Sequence, residues 1–221
     1  MGWKIVFGVL FFVFVVLSLS FYWFFPYGNY EFSLKPRNYN FSIGNFGDEN
    51  MQFYPNMRYT DSLISYKMKN CNSQKYQDML NAFDFISSST ILKFESVDAN
   101  EEISVECSEK NEYEGNLFIA GEGGPTNISK SGEFNVIHNG EILLLKESEC
   151  EKPNIAIHEL LHSLGFNHSE NKNNIMYPVS SCSQTLGDDI PLMINKIYAV
   201  PSYPDLSLEN ASAYMKGKFL F

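Results

Sequence analysis

His158-Glu159-Leu160-Leu161-His162-Ser163-Leu164-Gly165-Phe166-Asn167-His168 is the stretch on which the reading of this chain turns. Leu160, Leu161 and Leu164 continue a helical spacing begun by Ile155 and Ile157, and Pro153 stands where a first helical turn tolerates proline. In such a helix His158 and His162 are four apart, so they share a face from which both imidazoles reach one ion. Glu159 projects beside that face. A third histidine cannot come from the next turn in the right direction, so the chain must leave the helix and fold back to bring in His168. Gly165 permits this, because glycine adopts the left-handed conformation that ends helices without steric penalty.

Three neutral imidazoles around one Zn2+ ion leave a fourth position for water, the open arrangement of a catalytic site. Zinc lowers the pKa of that water towards about 7. Glu159 would take the proton as the water attacks a polarised carbonyl and pass it to the leaving nitrogen. Peptide-bond hydrolysis is the natural reaction. A structural zinc is the competing reading, but such sites usually have four protein ligands. Chance would place this set in register in roughly one chain of this length in 10^5. His138 reads as an ordinary hairpin residue, which leaves one zinc site. Glu122 could lend an oxygen to calcium, but a single carboxylate gives Ca2+ no support.

Working outward, Ile64, Tyr66 and Met68 alternate as in a half-buried strand, and Asn72-Ser73 offers a helix cap. Tyr76, Met79, Leu80, Phe83 and Ile86 then recur at helical spacing. Residues 91–97 and the series Ile103, Val105, Cys107 predict two more strands. Residues 115–120 are a short apolar stretch running into Gly121-Glu122-Gly123-Gly124-Pro125, which reads as a loop. Asn139-Gly140 between two apolar runs predicts a tight hairpin. Asp188-Asp189 before Ile190, Met193, Ile194 and Ile197 opens a last helix. Strand, helix, a run of strands and two helices predict a mixed α/β (α+β) domain over residues 61–221.

Residues 26–60 lack periodicity and read as a stalk or irregular wrap. Residues 1–25 differ from all the rest: they are apolar and carry a single charge, Lys4. That length suits a membrane-crossing helix, which takes about 20 apolar residues, with Phe21, Tyr22, Trp23, Phe24 and Phe25 at the far interface and the domain outside the cytoplasm. The alternative is a cleavable signal peptide ending near Ser18-Leu19-Ser20, giving a secreted protein. Both readings export the domain. Cys71, Cys107, Cys150 and Cys182 fit an oxidising compartment as two disulfides with three connectivities. Cys150 and Cys182 flank the histidine motif, so the preferred pairing is 71 with 107 and 150 with 182. The net charge of -10 sets nucleic acid aside as a partner. Sequons at Asn40, Asn127, Asn167 and Asn210 suit an exported chain, although a glycan on Asn167 would crowd the metal. Nothing in the sequence sets the oligomeric state.

The extended histidine motif together with Asn174-Ile175-Met176-Tyr177-Pro178 resembles the metzincin zinc peptidases, and most closely their matrixin branch, the matrix metalloproteinase type. Ser169 directly after His168, the eight-residue step to Met176 and the Tyr177-Pro178 pair carry that likeness, and Leu186-Gly187-Asp188-Asp189-Ile190 extends it to the last helix. The resemblance implies a zincin-like catalytic domain: a twisted, mostly parallel sheet, an active-site helix and a methionine turn in which Met176 underlies the metal. It implies protein or peptide substrates, bound by strand addition to an edge strand above the cleft. The candidates are Leu117 and Ile119 or the adjoining Gly123 and Gly124, with Tyr177 and Pro178 in a pocket wall. Two departures stand out: no cysteine precedes Cys71 to hold the zinc latent, and the family's structural zinc and calcium ligands are not recognisable.

Overall fold

A computed structural model describes residues 2–24, 32–33, 51–114 and 117–199. The chain divides into two compact units, residues 1–30 and 31–221. In the first, α1 (Gly2–Phe24) is one helix of 23 residues. Trp3, Val6, Phe7, Leu10, Phe11, Phe12, Phe14 and Leu17 are all exposed on it. Among the described residues no helix is long and apolar enough to cross a membrane. The side chains of Lys4, Ile5 and Val9, and those from Ser18 onward, belong to the expected span but lie outside the described ones.

In the second unit the chain forms β1 (Phe32–Ser33), β2 (Met57–Tyr59), β3 (Leu63–Lys69), α2 (Ser73–Ser89), β4 (Lys93–Ser96) and β5 (Ile103–Cys107). It continues through β6 (Glu112–Glu114), β7 (Leu117–Ile119), β8 (Gly121–Ser131), β9 (Phe134–Leu144), α3 (Asn154–Ser163) and α4 (Asp189–Tyr198). The main sheet runs β2-β9-β5-β3-β4, all parallel, with β8 antiparallel along β9. A small sheet places β7 between β1, parallel, and β6, antiparallel. The mixed α/β architecture is therefore as the residue patterns predict, and the mostly parallel sheet is as the resemblance implies.

The periodicities explain the packing. Ile64 and Tyr66 of β3 and Ile103, Val105 and Cys107 of β5 point into the core. They meet Met79, Ala82, Phe83 and Ile86, the apolar face of α2, and the Phe83 ring lies 4.1 Å from Tyr66 and 4.7 Å from Phe94. Asn72 caps α2, its side chain accepting from Lys75 N at 2.9 Å. Arg58 in β2 is buried and ties the sheet to the end of α4. It donates to Ile197 O (3.0 Å), Tyr59 O and Thr60 O, with Tyr198 4.5 Å from its guanidinium. Disulfides join Cys71 to Cys107 and Cys150 to Cys182.

Three local expectations are corrected. Asn139-Gly140 does not turn: β9 passes straight through it, and the hairpin is closed by Gly132-Glu133 between the paired Ser131 and Phe134, with Gly132 at φ 60°. Gly140 is needed inside the strand instead, because a Cβ there would collide with the Tyr59 hydroxyl and lie 3.2 Å from Ser163 Cβ. The run of residues 121–125 is not a loop but the start of β8, pinned residue by residue to β9. Finally, residues 57–59, within the stretch expected to be irregular, form β2, paired to β9 and fully buried.

Candidate active site

The α3 helix packs against β8, β9 and α2 and is buried along its whole length. It ends as expected at a left-handed glycine: Gly165 has φ 94°, and its nitrogen donates to His162 O. The turn returns His168 to the helix face. The ligating nitrogens of His158, His162 and His168 all lie within 4.8 Å of one another. Ring centroids are 4.5 Å apart for 158 and 162, 4.7 Å for 162 and 168, and 5.3 Å for 158 and 168.

Hydrogen bonds set the tautomers. His158 Nδ1 lies 2.6 Å from Ile175 O, and His162 Nδ1 lies 2.8 Å from Phe166 O. A carbonyl only accepts, so both Nδ1 atoms carry the proton and both Nε2 atoms present lone pairs. Burial also keeps the imidazoles neutral: His158 is pushed down to about 3, His168 to about 4, and His162 well below the ordinary range. His158 Nε2 and both carboxylate oxygens of Glu159 are buried with no hydrogen-bond partner among the described residues. Polar atoms are not normally left so, and these fit a metal ion with its water.

Met176 is buried, and its turn braces the cluster. Ile175 O accepts from His158 Nδ1, Met176 O accepts from Ser169 N just past His168 (2.8 Å), and Asn174 Oδ1 accepts from Met176 N (2.8 Å). Tyr177 and Pro178 follow, half-buried. Two residues that the motifs did not single out fix the segment beyond them. Gln184, 2% exposed, donates to Val179 O and accepts from Ser181 N, and Asn154 at the head of α3 donates to Ser181 O at 2.7 Å. A buried amide has no motif, so only the fold reveals these roles.

On the sheet side, β8 presents Gly121 and Gly123 to Glu159. A Cβ on Gly121 would lie 2.8 Å from Glu159 Cγ, and one on Gly123 would collide with Glu159 O and lie 3.0 Å from Oε2, whereas Gly124 has open space. Gly123→Ala is therefore expected to destabilise the fold by about 1–3 kcal/mol through overpacking, and Gly124→Ala to be near neutral. Urea denaturation of the two variants distinguishes them, and equal stabilities would refute the close approach. β7 already has partners on both edges, and Ile119 is buried. It has no edge left for an added strand. No strand pairs with the other edge of β8, which carries Gly123 and Gly124, among the described residues.

Burial and the nearby Glu122 carboxylate push the Glu159 carboxyl well above its usual range. The buried histidines should nonetheless make the metal-free protein lose stability on acidification. Three histidines whose folded pKa values are depressed leave the unfolded chain binding more protons below about 6.5, so stability falls from there towards about 4. Glu159 works in the opposite sense, its raised value favouring the fold as pH drops, but it is one group against three. Unfolding of the metal-free protein at pH 7.5 and 5 measures the net sign, and greater stability at pH 5 would contradict it.

Fold and site together define a zinc-peptidase-type domain: a buried three-histidine cluster on a helix and its return turn, a glutamate beside the first of them in sequence, and a methionine-bearing turn hydrogen-bonded to the cluster. A matrixin family model matches residues 54–199, and the chain belongs to the matrixins, a family of zinc-dependent metalloendopeptidases. No curated protein matches the chain.

Proposed function

We propose that this matrixin is an active zinc endopeptidase in which His158, His162 and His168 hold the ion and Glu159 is the general base. The observation that carries the reading is the coincidence of three clustered imidazoles with a buried carboxylate that has no hydrogen-bond partner among the described residues. Zinc in that position supplies a Lewis acid towards the scissile carbonyl and a water that is nucleophilic near neutral pH. Glu159 would accept the proton of the attacking water and deliver it to the leaving nitrogen. Burial in a water-poor site strengthens both roles.

The substrate peptide would add as a strand to the outer edge of β8 at Gly123 and Gly124, with Tyr177 and Pro178 in the wall of the pocket taking the side chain after the cut. The two disulfides belong to an oxidising compartment, which supports action outside the cytoplasm. The α1 helix, apolar on every described face, is proposed as a single-pass anchor, with secretion after cleavage as the alternative. Zinc content and cleavage of a peptide library, before and after chelation and after zinc is restored, test the whole. The expected result is about one zinc per chain and activity that leaves and returns with it. A protein that binds zinc yet cleaves nothing would instead be a zinc-stabilised peptide-binding module.

A further inference from the structure

Met51, Gln52 and Phe53 precede the matched family region, which begins at residue 54, yet they are stitched to the turn that brings in His168. Phe53 N donates to Gly165 O at 2.9 Å and Asn167 N donates to Met51 O at 2.8 Å, so Gln52 faces Phe166 in an antiparallel bridge. Gln52 is buried at 8% exposure and closes the segment on itself: Nε2 donates to Met57 O (2.8 Å), and Oε1 accepts from Met57 N (3.0 Å). That closure seats Met57 under the turn, where a Cβ on Gly165 would lie 2.8 Å from Met57 Cβ. The Phe53 ring stacks on His162, with centroids 5.8 Å apart and planes 21° apart.

An N-terminal bridge of this kind could be mere edge pairing, holding down a chain end. Its partners argue for more. The three residues it grips, 165 to 167, are three of the four that link α3 to His168, and Phe166 O is also the acceptor that orients His162. Two of the three presumptive ligands thus owe their placement to the bridge, one through backbone and one through ring contact. Groups that orient metal ligands without touching the metal commonly change its affinity by about 10–100-fold.

We infer that Gln52 and Phe53 are positioning residues for the metal centre, so that zinc affinity is set in part by a clip outside the family's matched region. This rests on the zinc reading above. The test uses the full chain with Gln52→Ala and Phe53→Leu, and Phe94→Leu in β4, at the far edge of the sheet, as a control for lost aromatic packing. Zinc affinity is measured by competition with a chelator, and the ligand field from the absorption bands of the Co2+-loaded protein.

Both clip variants are expected to bind zinc about 10–100-fold more weakly and to show altered Co2+ bands, while the control changes neither. Clip variants that keep wild-type bands and an affinity within about twofold would overturn the inference, since ligand-orienting groups move it further than that. If Gln52→Ala does not fold, Phe53→Leu decides by the same two readouts, because it keeps every backbone bond of the bridge. A wild type that takes up no zinc would sink both this inference and the metal reading. A wild type that takes up zinc but cleaves nothing sinks only the peptidase reading, because both readouts here report metal binding.

Discussion

Glu159→Gln is expected to give a folded, zinc-loaded protein whose kcat/KM is lower by about 10^2–10^4-fold. The substitution keeps the shape of a side chain that is completely buried, and neither carboxylate oxygen has a hydrogen-bond partner to lose among the described residues. What disappears is the ability to accept a proton. The fold itself should gain rather than lose from the change. The buried carboxyl holds its proton above the usual range, so the native state binds more protons than the unfolded chain from about pH 4.5 upward, and its stability falls as pH rises through that window. Glutamine has no such penalty. In the metal-free form the variant should be the more stable of the two at pH 8, with the difference shrinking towards pH 5. Denaturation at both pH values, zinc analysis and steady-state kinetics together separate the roles. Activity retained within about tenfold would remove Glu159 from the chemistry, and loss of zinc in step with loss of activity would make it a structural residue.

Removing the Cys150–Cys182 bridge by paired alanine substitution is expected to lower stability by about 3–4 kcal/mol, the chain-entropy value for a loop closed across a sequence separation of 32. Cys182 is exposed and Cys150 only half-buried, so little packing is lost and the effect falls mainly on the unfolded chain. The closed loop contains α3, His168 and Met176, and its far end is the wall that Asn154 and Gln184 hold. Kinetic damage should therefore appear in KM before kcat: the wall loosens while the helix-borne groups stay packed. The Cys71–Cys107 bridge joins the ends of β3 and β5 across a similar separation of 36. Its removal should cost about as much stability with KM unchanged. Equal KM effects from the two pairs would show that the wall does not depend on its disulfide.

Local chemistry was the legible part of this protein. The spacing of His158 and His162, the glycine at 165 and the cap at Asn72 each act within a few residues, where helix geometry leaves few choices. The alternation in β3 and β5 was readable for the same reason, since one face of each strand meets the core. Asn139-Gly140 and residues 121–125 were misread because they satisfy the local rules for turns. Gly140 serves close approach to Tyr59 instead, and Gly121 and Gly123 close approach to Glu159, with partners 81 residues away in the first case and 38 and 36 in the second.

The sequence by itself determined the histidine and glutamate spacing and the helix that carries them, because ligand spacing and a helical period are properties of short segments; for the cysteines it gave a preferred pairing among three. Only the tertiary structure decided which strand borders the site, that β2 and its buried Arg58 complete the sheet, that Gln184 and Asn154 set the wall, and that residues 51–53 clip the turn before His168. Each of those depends on backbone groups and buried amides meeting across long loops. Any polar residue can supply such a bond, so no pattern in the chain announces it until packing has chosen the partner.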